Sequence, residues 1–223
     1  MRLGGGARLL FIGDSITDCG RRQPVGDGRD ALGNGYVSLV AAALTAWCPE
    51  RRIRVINVGT SGHTGRHLRE RWQRDVLDLR PDWLSVMIGI NDVWRHFDQP
   101  LHPEMHVGLD EYGETYRRLV AETRPGLQGL VLMAPYYIEP RRDDPMRAMM
   151  DRYGAVVRRI AADHDALFVD TQASFDEVLR HLYPGVLAGD RVHPGTAGHM
   201  VLARAFLQAV GFPWDAERPA GPA

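Results

Sequence analysis

The 223-residue sequence predicts a doubly wound α/β sandwich. Short apolar runs alternate with longer stretches of helical period, and a chain of this length that is 44% hydrophobic can bury one substantial core. The runs RLLFIG (8–13), IRVINVG (53–59), DWLSVMIG (82–89), GLVLMAP (129–135) and ALFVD (166–170) are brief and bounded by turn residues. Such near-continuous apolar runs mark strands buried on both faces of a parallel sheet. Between them, residues 35–47, 66–79, 109–123 and 144–164 repeat apolar positions at intervals of three and four, and 195–210 closes the chain in the same way. Those intervals put the apolar side chains on one face of a helix.

A single domain over 1–216 accounts for all ten elements, with ERPAGPA (217–223) expected to be a disordered tail. Three connections are long for a compact domain: 18–34, which is glycine-rich, 91–108 and 135–147. Connections of that length are often functional. The first reads as a flexible rim. Trp47 and Trp72 fall on predicted helices and are expected in the core.

Charge and composition narrow the chemistry. The formal net charge is −1 and the pI about 6.8, without the clustered positive surface that a nucleic-acid binder needs. All 27 basic residues are arginine, which removes Schiff-base lysines, Ser-Lys dyads and a Walker lysine. No apolar stretch has the length of a membrane span, and MRLGGGARLLFIG is too short in its apolar run for a secretory signal. A cytoplasmic protein is the expectation. Cys19 and Cys48 form neither a disulfide framework nor a zinc spacing, and Cys19 is expected to pack.

In doubly wound sheets ligands gather at the carboxyl ends of the strands. Ser15 follows the first strand in GDSITD, Gly62 the second in NVGTSGHTG, and Asn91 the third in GIND. Asp190 and His193 stand together in GDRVHPG. Serine hydrolysis needs a nucleophile, a base, a carboxylate that orients the base, and donors for the oxyanion. These positions supply Ser15, His193 and Asp190 for the first three, and the Ser15 and Gly62 N–H groups with the Asn91 amide for the last. Asp14 is expected to bond within the nucleophile turn, with contact to substrate as a further role, and Asn57 to anchor the neighbouring loop. Trp94, Tyr136 and Tyr137 stand near strand ends, where an aromatic face could pack on a bound substrate.

GDSIT with Ser15, TSGHTG with Gly62, GIND with Asn91, and DRVH with Asp190 and His193 resemble the four blocks of the SGNH (GDSL-type) hydrolases. The blocks run from the first strand to the last helix. That resemblance implies a three-layer α/β/α, flavodoxin-like fold with a five-stranded parallel sheet, and ester hydrolysis with no metal or cofactor. Its oxyanion hole would combine Ser15, Gly62 and Asn91. A narrower resemblance, carried by FIGDSITDCGR, RPDWLSVMIGINDVWR, DPMRAMMDRYG, LFVDTQASFDEVL and DRVHPGTAGHMVLARAFL, is to the intracellular acetylxylan esterases of bacteria. It implies a small acetylated saccharide as substrate and, because related esterases are often oligomeric, a homo-oligomer.

Two other readings compete. A lysophospholipase or acyl-thioesterase would keep the triad but needs an apolar groove, whereas the long loops here are rich in Arg, Asp, Pro and Gly. A metal-dependent phosphoesterase would instead gather Asp14, Asp190, His193 and His199.

Overall fold

The structure, a computed structural model, describes residues 1–28 and 30–214. The expected tail at 217–223 lies outside the described residues. In chain order the elements are β1 (Arg8–Gly13), α1 (Ser15–Asp18), β2 (Gly26–Asp27), α2 (Tyr36–Trp47), β3 (Arg54–Asn57), α3 (Gly65–Trp72), β4 (Trp83–Met87) and α4 (Ile90–Asp98). There follow α5 (Leu109–Thr123), β5 (Gly129–Met133), α6 (Pro145–Asp163), β6 (Leu167–Val169), α7 (Thr171–Leu179), α8 (Pro184–Leu187) and α9 (Thr196–Ala209).

The five expected strands pair in parallel in the order β3-β1-β4-β5-β6, with Leu10 beside Ile56 and Leu84, and Leu132 beside Phe168. A sixth strand, the two-residue β2, adds to the β3 edge in antiparallel sense, so the sheet is mixed rather than purely parallel. Helices α2, α9 and α7 pack together on one face, and α3, α5 and α6 on the other, where α4 also packs on α6. Leu9, Leu10, Phe11 and Ile12 of the central strand are fully buried, as a strand covered on both faces requires. Because β1 lies between β3 and β4, the chain leaves the sheet in opposite directions there. The crevice of an open α/β sheet forms at such a switch point.

Three expectations are corrected. The segment 91–108 is not all connection, since Ile90–Asp98 is helical and buries Ile90, Asn91, Asp92 and Val93. The helix expected over 66–79 ends at Trp72 and widens into a π turn over Gln73–Leu77. Trp47 is not core: it is 52% exposed at the last residue of α2, its ring centroid 6.1 Å from that of Phe212. Trp72 is buried, and its indole N–H donates to Thr123 Oγ1 at 2.8 Å.

Candidate active site

Ser15 is the first residue of α1, directly beyond β1. The first N–H groups of a helix lack intrahelical partners. Asp14 caps this one, its Oδ1 accepting Ile16 N–H at 3.0 Å while its carbonyl accepts from Thr17 and Asp18.

The loop after β3 is drawn against this turn. Asn57 Nδ2 donates to the carbonyls of Thr17 (2.7 Å) and Leu32 (2.9 Å), and its Oδ1 accepts Gly59 N–H at 2.9 Å. A Cβ on Gly59 would stand 2.3 Å from Asp18 N, so only glycine permits the approach. Asp18 Oδ2 accepts from Ser61 N–H at 3.1 Å and Ser61 Oγ at 2.8 Å. Arg71, buried, donates to Gly13 O (2.8 Å), Val58 O (2.6 Å) and Asp75 (2.9 Å), tying the ends of β1 and β3 together. Gly62 adopts φ +80° with open space around it, so its need for glycine is backbone conformation rather than crowding.

Asn91 enters from α4, whose N-terminus follows Gly89 at φ +132°. Its Nδ2 donates to His63 O at 3.0 Å and its Oδ1 accepts from Arg95 Nη2 at 3.1 Å. Asp92, fully buried, accepts Gly65 N–H at 2.9 Å and so joins the β4 end to the start of α3.

The 188–195 loop completes the set. Asp190 Oδ1 accepts the N–H groups of Val192 (2.9 Å) and His193 (2.8 Å), and Arg191 takes φ +62° to allow the tight turn. Asp190 Oδ2 lies 2.7 Å from His193 Nδ1, and His193 Nε2 lies 2.9 Å from Ser15 Oγ. A carboxylate can only accept, so Nδ1 carries the proton and Nε2 is free to accept from the Ser15 hydroxyl. Partial burial opposes ionisation of Asp190, but His193 and the two backbone donors outweigh it and hold the carboxyl below its usual range. Asp190 and His193 side chains are 43% and 45% exposed, so the reactive edge is open to a solute.

The segment after β5 supports this loop. Tyr136 Oη donates to Val192 O at 3.2 Å, Ile138 N–H donates to Arg191 O at 2.9 Å, and Glu139 pairs with Arg191. Gln172 clasps Tyr137, accepting its N–H at 2.8 Å and donating to its carbonyl at 3.0 Å. Trp94 meets His193 edge-on with ring centroids 5.8 Å apart. It also walls a cleft of about 290 Å³ whose other sides are Phe97, Asp98, Tyr137, Asp144 and Met146.

Ser15, Gly62, Asn91, Asp190 and His193 are thus set around one crevice, with Trp94 and Tyr137 on its flank. Asp14 and Tyr136 are different. Asp14 is 1% exposed beneath the nucleophile, and burial pushes its carboxyl up to about 7. Tyr136 is 0% exposed, packed on Phe175 at 4.4 Å. Neither touches the crevice, so both support the site from below instead of contacting substrate. His199, considered as a ligand with Asp14, Asp190 and His193, is engaged elsewhere: its Nδ1 accepts Tyr36 N–H at 3.2 Å and its Nε2 faces Cys19 Sγ at 3.2 Å. Among the described residues no group of three or more His, Cys, Asp or Glu side chains is arranged to hold a metal ion. Arg71, Arg95 and Asp18 were missed as supports of the site. Arg95 had a readable signal, four residues after Asn91, once 90–98 is taken as a helix.

The profile of the GDSL-like lipase/acylhydrolase family matches residues 11–201. The chain belongs to this family. It is 58% identical over 219 residues to the acetylxylan esterase of Geobacillus stearothermophilus, covering 98% of this chain and 100% of that protein. A crystal structure of that esterase superposes with a TM-score of 0.96 over 98% of this chain and 100% of that one, at 58% identity. An alpha/beta hydrolase enzyme from the metagenome of Lake Arreo, Spain, is 51% identical, with a TM-score of 0.93 over 95% of this chain and 98% of that one. Three further structures of the Geobacillus esterase are of catalytic mutants in which a serine, a histidine and an aspartate are each replaced by alanine. This family member presents the same three residue types in hydrogen-bonded sequence at the switch point of its sheet.

Proposed function

We propose that this protein is a serine esterase that removes acetyl groups from acetylated xylo-oligosaccharides. The observation that carries the reading is the Asp190–His193–Ser15 relay, 2.7 and 2.9 Å long, at the mouth of the crevice. Ser15 Oγ attacks the acetyl carbonyl as His193 Nε2 takes its proton, and Asp190 stabilises the imidazolium that forms. The oxyanion is received by the N–H groups of Ser15 and Gly62 and by the second Nδ2 hydrogen of Asn91. Collapse expels the sugar alkoxide, which leaves with the proton from His193. Water, activated by the same nitrogen, then releases acetate.

The leaving oxygen must lie within reach of His193 Nε2, so the sugar body extends past that ring. Trp94 and Tyr137 border the cleft on that side, with Asp98 and Asp144 as acceptors for hydroxyl groups. An aromatic wall with carboxylates suits a pyranose better than an alkyl tail, and it supports the saccharide reading over a lysophospholipase or thioesterase.

The test follows acetate release by NMR from acetylated xylo-oligosaccharides, beside a p-nitrophenyl ester series from acetate to octanoate. Loss of activity with acyl length, and a fall in kcat of about 10⁴-fold or more in Ser15→Ala, are expected. Activity that holds or rises to octanoate would overturn the acetyl reading, and an active Ser15→Ala would overturn the mechanism.

A further inference from the structure

An asparagine serves an oxyanion only in one of its two amide orientations. With Nδ2 toward the crevice it donates, but turned by 180° it would set its own oxygen against the developing charge. Two groups distinguish these orientations. His63 O, which can only accept, sits 3.0 Å from Nδ2. Arg95 Nη2, which can only donate, sits 3.1 Å from Oδ1. The turned amide would face donor to donor and acceptor to acceptor.

Arg95 is well placed for this work. It lies one helical turn beyond Asn91 on α4, where residues four apart share a face. Asp98 pairs with its guanidinium from the next turn, and the guanidinium lies over the Trp94 ring, 5.2 Å from its centroid. Its side chain is 20% exposed, so the bond to Asn91 is shielded from competing water. A cation on Oδ1 also draws electron density from Nδ2 and strengthens its remaining N–H as a donor. Asp98 neutralises Arg95 at longer range, which leaves orientation and polarisation of the Asn91 amide as its main effects.

We propose that Arg95 is a positioning residue for ester hydrolysis, holding and polarising the Asn91 amide as an oxyanion donor; this rests on the esterase reading above. Because the oxyanion exists only after attack, loss of Arg95 should lower kcat and leave KM nearly unchanged.

The experiment is a double-mutant cycle on p-nitrophenyl acetate hydrolysis with Asn91→Ala, Arg95→Met and the pair. Removing an oxyanion donor typically costs 10²–10³ in kcat, so Asn91→Ala is expected to fall by about that factor and Arg95→Met by about 10- to 100-fold. The double variant should be no slower than Asn91→Ala alone, since Arg95 acts through that amide. In Arg95→Ala, added guanidinium should restore part of kcat, which a general structural defect would not allow. If Arg95→Met fails to melt cooperatively, Arg95→Gln carries the same cycle. Multiplicative losses, an effect on KM alone, or no loss in the Arg95 variants would overturn the role of Arg95 while leaving the esterase reading standing. Full activity in Asn91→Ala would show that this amide is no oxyanion donor and would likewise overturn the role of Arg95. The esterase reading falls only if the unsubstituted protein releases no p-nitrophenol or if Ser15→Ala keeps full activity.

Discussion

Asp92→Asn isolates the energetic cost of a buried carboxyl behind the oxyanion loop. Asp92 is 0% exposed; its Oδ1 accepts Gly65 N–H, and its Oδ2 has no hydrogen-bond partner among the described residues. Burial raises its carboxyl, the backbone donors of Gly65 and Asp92 itself and the Arg66 guanidinium work against the rise, Glu111 adds to it, and the outcome is about 7. In the unfolded chain the group titrates near 3.8. Between those values the native state holds a proton that the unfolded state has lost, so stability is whole below the unfolded pKa and falls as pH rises toward 7. At 1.36 kcal/mol per unit the fall is on the order of 4 kcal/mol, complete once both states are ionised. Asparagine keeps the acceptor for Gly65 and removes the titration, at a constant cost of about 1–3 kcal/mol for an amide N–H without an acceptor. The difference in unfolding free energy between variant and parent should therefore move in favour of the variant from pH 4 to pH 7 and then level off. Urea unfolding at pH 4, 5.5, 7 and 8.5 measures it. A difference independent of pH would mean that Asp92 titrates alike in both states, and the reasoning would be refuted.

Two other outcomes bear on the reaction itself. Asp190→Asn should preserve the 188–195 turn, since the amide oxygen can still accept from Val192 and His193, while lowering kcat by about 10⁴ through the wrong imidazole tautomer; crystallography and steady-state kinetics together check both halves. Trp94→Ala should raise KM for acetylated xylo-oligosaccharides several-fold more than for p-nitrophenyl acetate, because only the former has a body long enough to lie along the cleft. Equal effects on the two substrates would place Trp94 as a support for His193 instead.

The strands were legible because a sheet covered on both faces leaves its pattern in short apolar runs, and all five appear within a few residues of their expected ends. What was misread has particular causes. Ile90, Val93, Trp94 and Phe97 recur at helical spacing, yet the helix is only nine residues long and carries polar Asn91 and Asp92 in its first turn, so the composition resembled a connection. Strand β2 is two residues, Gly26 and Asp27, held by backbone pairing to β3, and no side-chain pattern can announce it. Trp47 has the spacing of a core residue but comes at the helix terminus, beyond the sheet it would have covered.

The reactive groups and their supports differ in how far their causes reach along the chain. Asp190 and His193 are three residues apart, and Asp14 caps the helix that begins with Ser15, so local order sets each half of the relay, while the Ser15–His193 contact that joins the halves spans 178 positions. The contacts that aim them are distant in sequence: Arg71 to Gly13, Asn57 to Thr17, Asp92 to Gly65, Tyr136 to Val192. Each joins loops from different strands, and each is buried polar chemistry, which periodicity does not encode. This also explains why Asp14 and Tyr136 were misplaced as substrate contacts. Adjacency to a reactive residue says nothing of depth, and at a strand end one residue may face the crevice while its neighbour lies under it. A site assembled at a switch point needs both kinds of residue, because its parts come from the ends of β1, β3 and β4 and from the loop between α8 and α9. Apolar packing holds the sheet beneath them, but it does not set the orientation of a donor or acceptor. Directional bonds do, and here they run between the loops.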